Sequence, residues 1–380
     1  MMNQISVLHS YSHWLPITMN WLHNQIKNLD EDISSVVFCD VSENEKAFPV
    51  SKLICLNENH SVLINKIIRK SGLGKWNFPL LHAIREEDVT IVHSHFGHTG
   101  WENMFAVKKE NARHVVTFYG ADVNYLPQNN SKWYSRYATL FENVDLVLAE
   151  GPFMRESLIA LGCPSKKAVI QHLGVEVEKI PFQPFTSSPN EPLRVLIAAS
   201  FREKKGIPYA LEALIKCMEI PMEVTIIGGA SKDRNSQAEE QKIQALAGKL
   251  GDKVTFSGFV SYQELQKQML EHHIFLSPSV TASDGDSEGG SPLGITEACA
   301  SGLFVISTDH CDIPNVVIHN ETGLLAPERD SDTLAEHIRW FVEHPEKVQQ
   351  MLQASRKHIE ENFNAKRQGK KLSQIYRSLI

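Results

Sequence analysis

The chain has 380 residues, 42% hydrophobic, 22% charged and 8% aromatic, which excludes a disordered or fibrous protein. That length suits two domains of about 180 residues each. A formal charge of −7, from 38 basic and 45 acidic side chains, excludes nucleic acid as a bulk partner, because neutralising phosphates takes clustered lysine and arginine.

Six cysteines at 39, 55, 163, 217, 299 and 311 show no CxxC pair or zinc-ligand spacing, so a disulfide framework or zinc ribbon is not expected and a reducing compartment suits them. Met1 to Ser10 lacks the basic flank and apolar stretch of a signal peptide, and no run of about 18 apolar residues occurs, so a cytoplasmic location is expected.

Short β-branched and apolar runs recur at 5–9, 35–39, 89–93, 114–118, 146–149 and 168–172, each the length of a buried strand. Helical spacing separates them, as at 14–29 and 133–143, and this alternation predicts a parallel sheet covered on both faces. Four prolines between Pro181 and Pro192 break any helix and mark an interdomain linker at 183–192. Strand-like runs then resume at 194–199, 224–227, 254–256, 274–277 and 304–307, predicting a second Rossmann-like unit. The expected division is 1–182, linker, 193–362, and a last helix at 363–380 returning to the first domain. Leu334, Ile338 and Phe341 share one helical face, Pro345 opens another helix, and Gln368 to Ile380 forms the returning one.

Two segments of the second half carry chemistry. Ser200-Phe-Arg-Glu-Lys-Lys-Gly206 follows a strand and precedes a helix opening near Pro208, so Arg202 and Lys205 lie where free amides and the helix dipole also attract anions. In Asp284-Gly-Asp-Ser-Glu-Gly-Gly-Ser-Pro-Leu-Gly-Ile-Thr-Glu297, Gly289 and Gly290 permit close backbone approach to a ligand, and Ser291 and Pro292 read as N-cap and first helical residue. Glu297 lies on the helix within reach of ribose hydroxyls, and Glu288 precedes the glycines where it would face a sugar. Taken singly, the lysines read equally well as a solvated loop tip and the glutamates as solvated side chains.

In the first half, His93, His95 and His98 offer imidazoles, but strand alternation puts His93 and His95 on one face with no carboxylate partner, and no metal is expected. Ser61 to Trp76 carries Lys66, Arg69, Lys70 and Lys75 among Leu63, Ile64, Ile67, Ile68 and Leu73, with no acid. Such an amphipathic stretch suits either packing on the sheet or peripheral contact with an anionic membrane. Trp14, Phe96, His98 and Tyr119 fall near expected strand ends, where aromatic faces could hold an acceptor sugar.

Together the two second-half segments resemble the Arg-(x)4-Lys-Gly loop and Glu-(x)7-Glu motif of family 4 retaining glycosyltransferases. Gly258-Phe259, Ser277-Pro278-Ser279, Glu321-Thr-Gly-Leu-Leu325, Val92 to Gly97, Thr117 to Asp122 and His172 to Val175 look like further landmarks, so the likeness covers nearly the whole chain. It implies an α/β GT-B fold, two Rossmann-like domains facing across a cleft, and transfer of a hexose, with glucose the first choice, from a UDP-sugar to a polysaccharide or lipid-linked oligosaccharide; the basic stretch at 61–76 would allow this at the inner face of the plasma membrane. Lys205, Glu288, Arg202 and His95 would be catalytic. Glu297, Gly289, Gly290, Ser291, Pro292, Leu293, Gly258, Phe259 and Val260 would bind the donor. Trp14, Phe96, His98, Tyr119 and Asp122 would bind the acceptor, with no cofactor or metal required.

Three departures stand out. Eight residues separate Glu288 from Glu297, Ser200 stands where the family has its arginine while Arg202 lies three places before Lys205, and Tyr119 replaces a common histidine, with His95 available for part of its role. These leave room for a catalytically silent nucleotide-sugar-binding protein. A GT-B-like nucleotide-sugar epimerase and a sugar phosphorylase would share the architecture, but no motif in the chain commits to either of them.

Overall fold

The computed structural model describes residues 4–16, 19–56, 77–185 and 191–380, so the basic stretch at 61–76 and part of the expected linker lie outside the described residues. The chain forms two compact units, one of 1–175 with 364–380 and one of 176–363. Residues 176–182, expected in the first domain, thus belong to the second unit. There Arg356 ties them down, donating to the carbonyls of Ile180 and Val177 at 3.0 and 3.1 Å.

The first unit contains β1 (Ile5–Ser10), β2 (His13–Trp14), β3 (Ile33–Cys39), β4 (Val41–Ser42), β5 (Leu53–Cys55), β6 (Ile91–His95), β7 (Arg113–Thr117), β8 (Leu146–Ala149) and β9 (Ala168–Ile170). Seven of these make a parallel sheet in the order β5-β3-β1-β6-β7-β8-β9, with β2 and β4 paired separately. Every residue of β6 is buried, as expected of a central strand covered on both faces. Strand alternation divides the core: Leu8, Phe38 and Val92 pack with Leu80 and Ala106 of two helices, while Val7, Ile91 and Val115 pack with Leu372 and Tyr376 of the last helix.

That last helix, Ala365–Arg377, is capped by Asn364, whose side chain accepts from the amides of Lys366 and Arg367. It docks closely on the first unit because Gly369 has no side chain: a Cβ there would stand 2.0 Å from the Asn28 carbonyl oxygen. Arg377 adds ion pairs to Asp30 and Asp32 at 2.7 and 2.5 Å. The helix expected over 14–29 is shorter, Asn20–Lys27. Trp14 pairs with Ser42 in the small sheet instead, and Pro16 disfavours a helical conformation at the residue before it. The strand expected at 89–93 lies two residues later, because Val89 belongs to the turn entering it.

The second unit contains β10 (Leu193–Ala198), β11 (Met222–Ile227), β12 (Val254–Gly258), β13 (Ile274–Ser277), β14 (Phe304–Thr308) and β15 (Leu324–Ala326), all parallel in the order β12-β11-β10-β13-β14-β15. Their apolar faces share one core with Leu211, Leu214, Leu334, Ile338, Phe341 and Leu352. Among the described residues no helix is long and apolar enough to cross a membrane.

Candidate active site

The two second-half segments meet. After β10 the chain makes a tight turn over Glu203–Lys205 and enters the helix Ile207–Ile215 through Gly206, whose φ of +63° is a left-handed value that favours glycine. A Cβ on Gly206 would lie 1.8 Å from the Pro278 carbonyl oxygen, so only glycine lets this turn sit against the loop that follows β13. Across that contact the Lys205 ammonium lies 2.8 Å from a carboxylate oxygen of Glu288, whose other partner is the Ser279 hydroxyl at 2.9 Å. Burial alone would raise the Glu288 carboxyl, but the Lys205 and Lys204 ammonium groups and the hydrogen bonds from Lys205 and Ser279 outweigh it and bring it down to about 2.

A second ion cluster latches the same two segments. Asp286 is buried and accepts from Arg202 at 2.7 Å and from Lys204 at 3.2 Å, and Lys204 also donates to the Ser287 carbonyl. Lys204, for which a solvated loop tip was one of two equal readings of the sequence, is thus the anchor of the acidic loop, whereas the Arg202 side chain is 54% exposed. From behind, the Glu288 amide donates to His310 Nε2 at 3.2 Å while His310 Nδ1 lies 2.6 Å from Glu328, a relay that fixes the backbone carrying Glu288. Neither His310 nor Glu328 belongs to a motif, and no local pattern could have pointed to them.

The helix expected from Ser291 begins one step later. Pro292 is its cap residue and the helix runs Leu293–Ser301, because Pro292 has an extended ψ of 128°. Ser291 is therefore not the N-cap, and its hydroxyl is buried with no hydrogen-bond partner, beside helix amides that have no intrahelical acceptor. Glu297 lies further along this helix and accepts from the Tyr262 hydroxyl at 2.7 Å. Burial raises its carboxyl to about 7, with the Tyr262 hydrogen bond offsetting only part of the rise. Tyr262 opens its own helix just after Gly258, Phe259 and Val260. Phe259 is 70% exposed, an apolar face beside Gly229, whose Cβ position is 3.2 Å from the ring.

In the first unit, Phe96, His98 and Tyr119 come together as expected. Phe96 lies 4.7 Å from Tyr119 and 5.6 Å from His98 between ring centroids, and Tyr11 and Trp21, not foreseen, complete the cluster. Trp14 does not join it: its ring is fully buried with Leu22, Ile26 and Val37 and offers no face to an acceptor. Asp122 is also buried, and its two oxygens accept from the Gly97 and Tyr119 amides at 2.7 and 2.9 Å, so it holds the loop in place.

His95 is buried as well, bonded to the Tyr119 hydroxyl at 2.7 Å and to His9 at 3.2 Å. It can therefore act on a ligand only through Tyr119. His9, in place of the expected His98, joins His93 and His95 in a cluster whose ring nitrogens lie within 4.8 Å of one another. His93 spends both nitrogens on Tyr376 and Thr117, each at 2.6 Å. Burial keeps all three imidazoles neutral, with their proton affinity far below the ordinary histidine value.

Residues 21–179 match the Glycosyltransferase Family 4 family and residues 179–358 the Glycosyl transferases group 1 family. The amylovoran biosynthesis glycosyltransferase AmsK of Erwinia amylovora is 34% identical over 299 residues, covering 77% of this chain and 70% of that protein. The putative colanic acid biosynthesis glycosyltransferase WcaL of Escherichia coli is 29% identical, covering 70% and 64%. The chain thus spans about two-thirds of the length of these relatives. Among solved structures, a Rickettsia africae glycosyltransferase superposes with a TM-score of 0.78 at 18% identity over 99% of this chain and 98% of that one. HepE of Anabaena in complex with UDP superposes with 0.77 at 15% identity over 98% and 100%. Both likenesses show the fold, two parallel-sheet α/β units of the GT-B kind. The chain belongs to the group 1, family 4 glycosyltransferases.

Proposed function

We propose that the protein is a retaining hexosyltransferase of exopolysaccharide assembly, moving a hexose from a UDP-sugar to a polysaccharide or lipid-linked oligosaccharide. The observation that carries this reading is the 2.8 Å contact between Lys205 and Glu288, which puts a cationic turn, a sugar-facing acid and a helix N-terminus in one place. The Anabaena HepE structures in complex with UDP-glucose and with UDP and glucose favour UDP as the nucleotide and glucose as the first sugar to try.

Retaining transfer requires the diphosphate to leave and the acceptor hydroxyl to enter on one face of an oxocarbenium-like transition state. Charge on the departing diphosphate is then the main thing to stabilise. Lys205, the amides at the start of Leu293–Ser301 and the unpartnered Ser291 hydroxyl would receive it, with Arg202 reaching in from the rim. In this reading these groups do the work a divalent metal does in other transferases. Glu288 would accept from hydroxyls of the donor sugar, already ionised and oriented by Lys205. Glu297 would accept from the ribose hydroxyls once Tyr262 yields its place, and Phe259 would cover the base. The site on the donor side contains no covalent nucleophile in this scheme.

A UDP-sugar panel tests the proposal. Calorimetry should show binding of UDP-glucose or another UDP-hexose, and slow donor hydrolysis should release free sugar with its anomeric configuration retained. Binding without turnover on any donor or acceptor mixture would instead indicate a silent nucleotide-sugar-binding protein.

A further inference from the structure

Glu297 carries the ribose contact proposed above, and its carboxylate is already engaged. The Tyr262 hydroxyl donates to it at 2.7 Å, the same kind of bond that a sugar hydroxyl would make. A carboxylate held away from water without such a donor bears the cost of its lost hydration, so the phenol stabilises the site while it is empty.

The two partners are anchored unequally. Glu297 belongs to the helix Leu293–Ser301, in which Ile295, Thr296, Ala298, Cys299, Ala300 and Ser301 are buried. Tyr262 is the first residue of the helix Tyr262–Glu271, in which Met269 alone is buried, and the residue itself is 39% exposed. Ser261 caps that helix by accepting from the Glu264 amide at 3.2 Å, so its first turn is held by local bonds and little packing. Few buried contacts make local displacement cheap. When a hydroxyl of a ligand reaches Glu297, the phenol is therefore the partner that leaves and the carboxylate the one that stays.

We infer that Tyr262 is a built-in competitor for the ribose: its phenol occupies Glu297 in the empty site, gives way to the donor, and helps UDP leave by taking its place back. The inference rests on the transferase reading and on the ribose contact that reading gives to Glu297, and it adds how the site releases its product. UDP differs from the donor by the departed sugar, so groups that grip the nucleotide hold product as firmly as donor, and product release commonly limits turnover. A competitor for the nucleotide weakens donor and product alike. It raises the donor KM and the UDP dissociation constant by one factor and leaves the chemical step untouched.

The test is UDP binding to the full chain at pH 8, by calorimetry for affinity and surface plasmon resonance for the dissociation rate. Tyr262→Phe keeps the ring and removes only the hydroxyl. It should bind UDP about five- to tenfold more tightly, the worth of one hydrogen bond no longer broken on binding, and the gain should appear as slower dissociation. In donor hydrolysis the same variant should lower KM by that factor with kcat no higher than wild type, a split that a merely structural role would not produce. On a Glu297→Ala background, Tyr262→Phe should change UDP affinity by less than about twofold, because the phenol then has no carboxylate to occupy. Unchanged or weaker UDP binding by Tyr262→Phe, a raised kcat, or an equal gain without Glu297 would overturn the inference. Should Glu297→Ala alone leave UDP affinity intact, the ribose contact falls and this inference with it. Failure of the wild-type chain to bind UDP would sink the transferase reading first.

Discussion

Lys205 and Arg202 carry the same charge in different surroundings, and the difference decides which one matters more. Lys205 is only 20% exposed and 2.8 Å from Glu288, so its charge acts in a partly dry site, whereas Arg202 is 54% exposed and screened by water. Lys205→Ala should lower donor hydrolysis or transfer by a hundredfold or more, since losing a donor aimed at developing charge costs about 3 kcal/mol. Arg202→Ala should cost less than tenfold. Steady-state kcat/KM values for the two variants check the order, and a reversed ranking would remove Lys205 from its role.

Glu297 makes a pH prediction. If Glu297 holds the ribose as proposed, its carboxyl, raised by burial to about 7, must be ionised to accept from both hydroxyls, so UDP affinity should rise between pH 6 and pH 8. Glu297→Gln should abolish that rise and weaken binding at pH 8 about ten- to a hundredfold, the loss of a charge-assisted bond of roughly 1.5–3 kcal/mol. Calorimetry at the two pH values reads both effects. Because its folded value exceeds the unfolded one, this group's stability contribution is fully present below pH 4.5 and is lost as pH rises through about 7.

At the scale of the element, the turn at Gly206 joins stability to chemistry. Gly206→Ala would place a methyl 1.8 Å from the Pro278 carbonyl at a φ of +63°, so the backbone must move. We expect a loss of about 1–3 kcal/mol in urea unfolding, together with loss of donor binding, because Lys205 moves with the turn. A variant that unfolds earlier yet binds UDP normally would show that the turn and the site are independent.

Elements also set how much could be read in advance. The β-branched and apolar runs announced most of the parallel strands, but Leu53–Cys55 and Leu324–Ala326, three residues each, were not among them. The acidic and basic segments were legible because their residue types are unusual side by side. What escaped were partners far apart in the chain: Tyr262 with Glu297, Asp286 with Arg202, and His310 behind Glu288. Trp14 shows the limit from the other direction, since an aromatic residue near a strand end is chemically the same whether its ring faces a sugar or the core.

For the molecule as a whole, the buried imidazoles govern behaviour in acid. An unfolded histidine takes up a proton near pH 6.5, whereas burial holds His9 down to about 3 and His114 to about 4, with His93 and His95 lowered in the same sense. Below pH 6.5 the unfolded chain therefore binds more protons than the folded one. The stability these groups contribute is fully present above pH 6.5 and drains away as pH falls toward 4 and below, at roughly 1.4 kcal/mol per pH unit for each imidazole held neutral. Urea midpoints measured at pH 7.5 and pH 5 should differ accordingly, and equal midpoints would contradict the buried neutral cluster.

The return of residues 364–380 to the first unit has a consequence for biogenesis. Tyr376 supplies the hydroxyl that meets His93, and Leu372 fills the sheet face beside Val7 and Ile91. During synthesis the continuous second unit can thus close before the first, whose helix Ala365–Arg377 is translated after it. Until that helix arrives, an apolar sheet face waits uncovered, and it is in this interval that a chaperone would find its handhold.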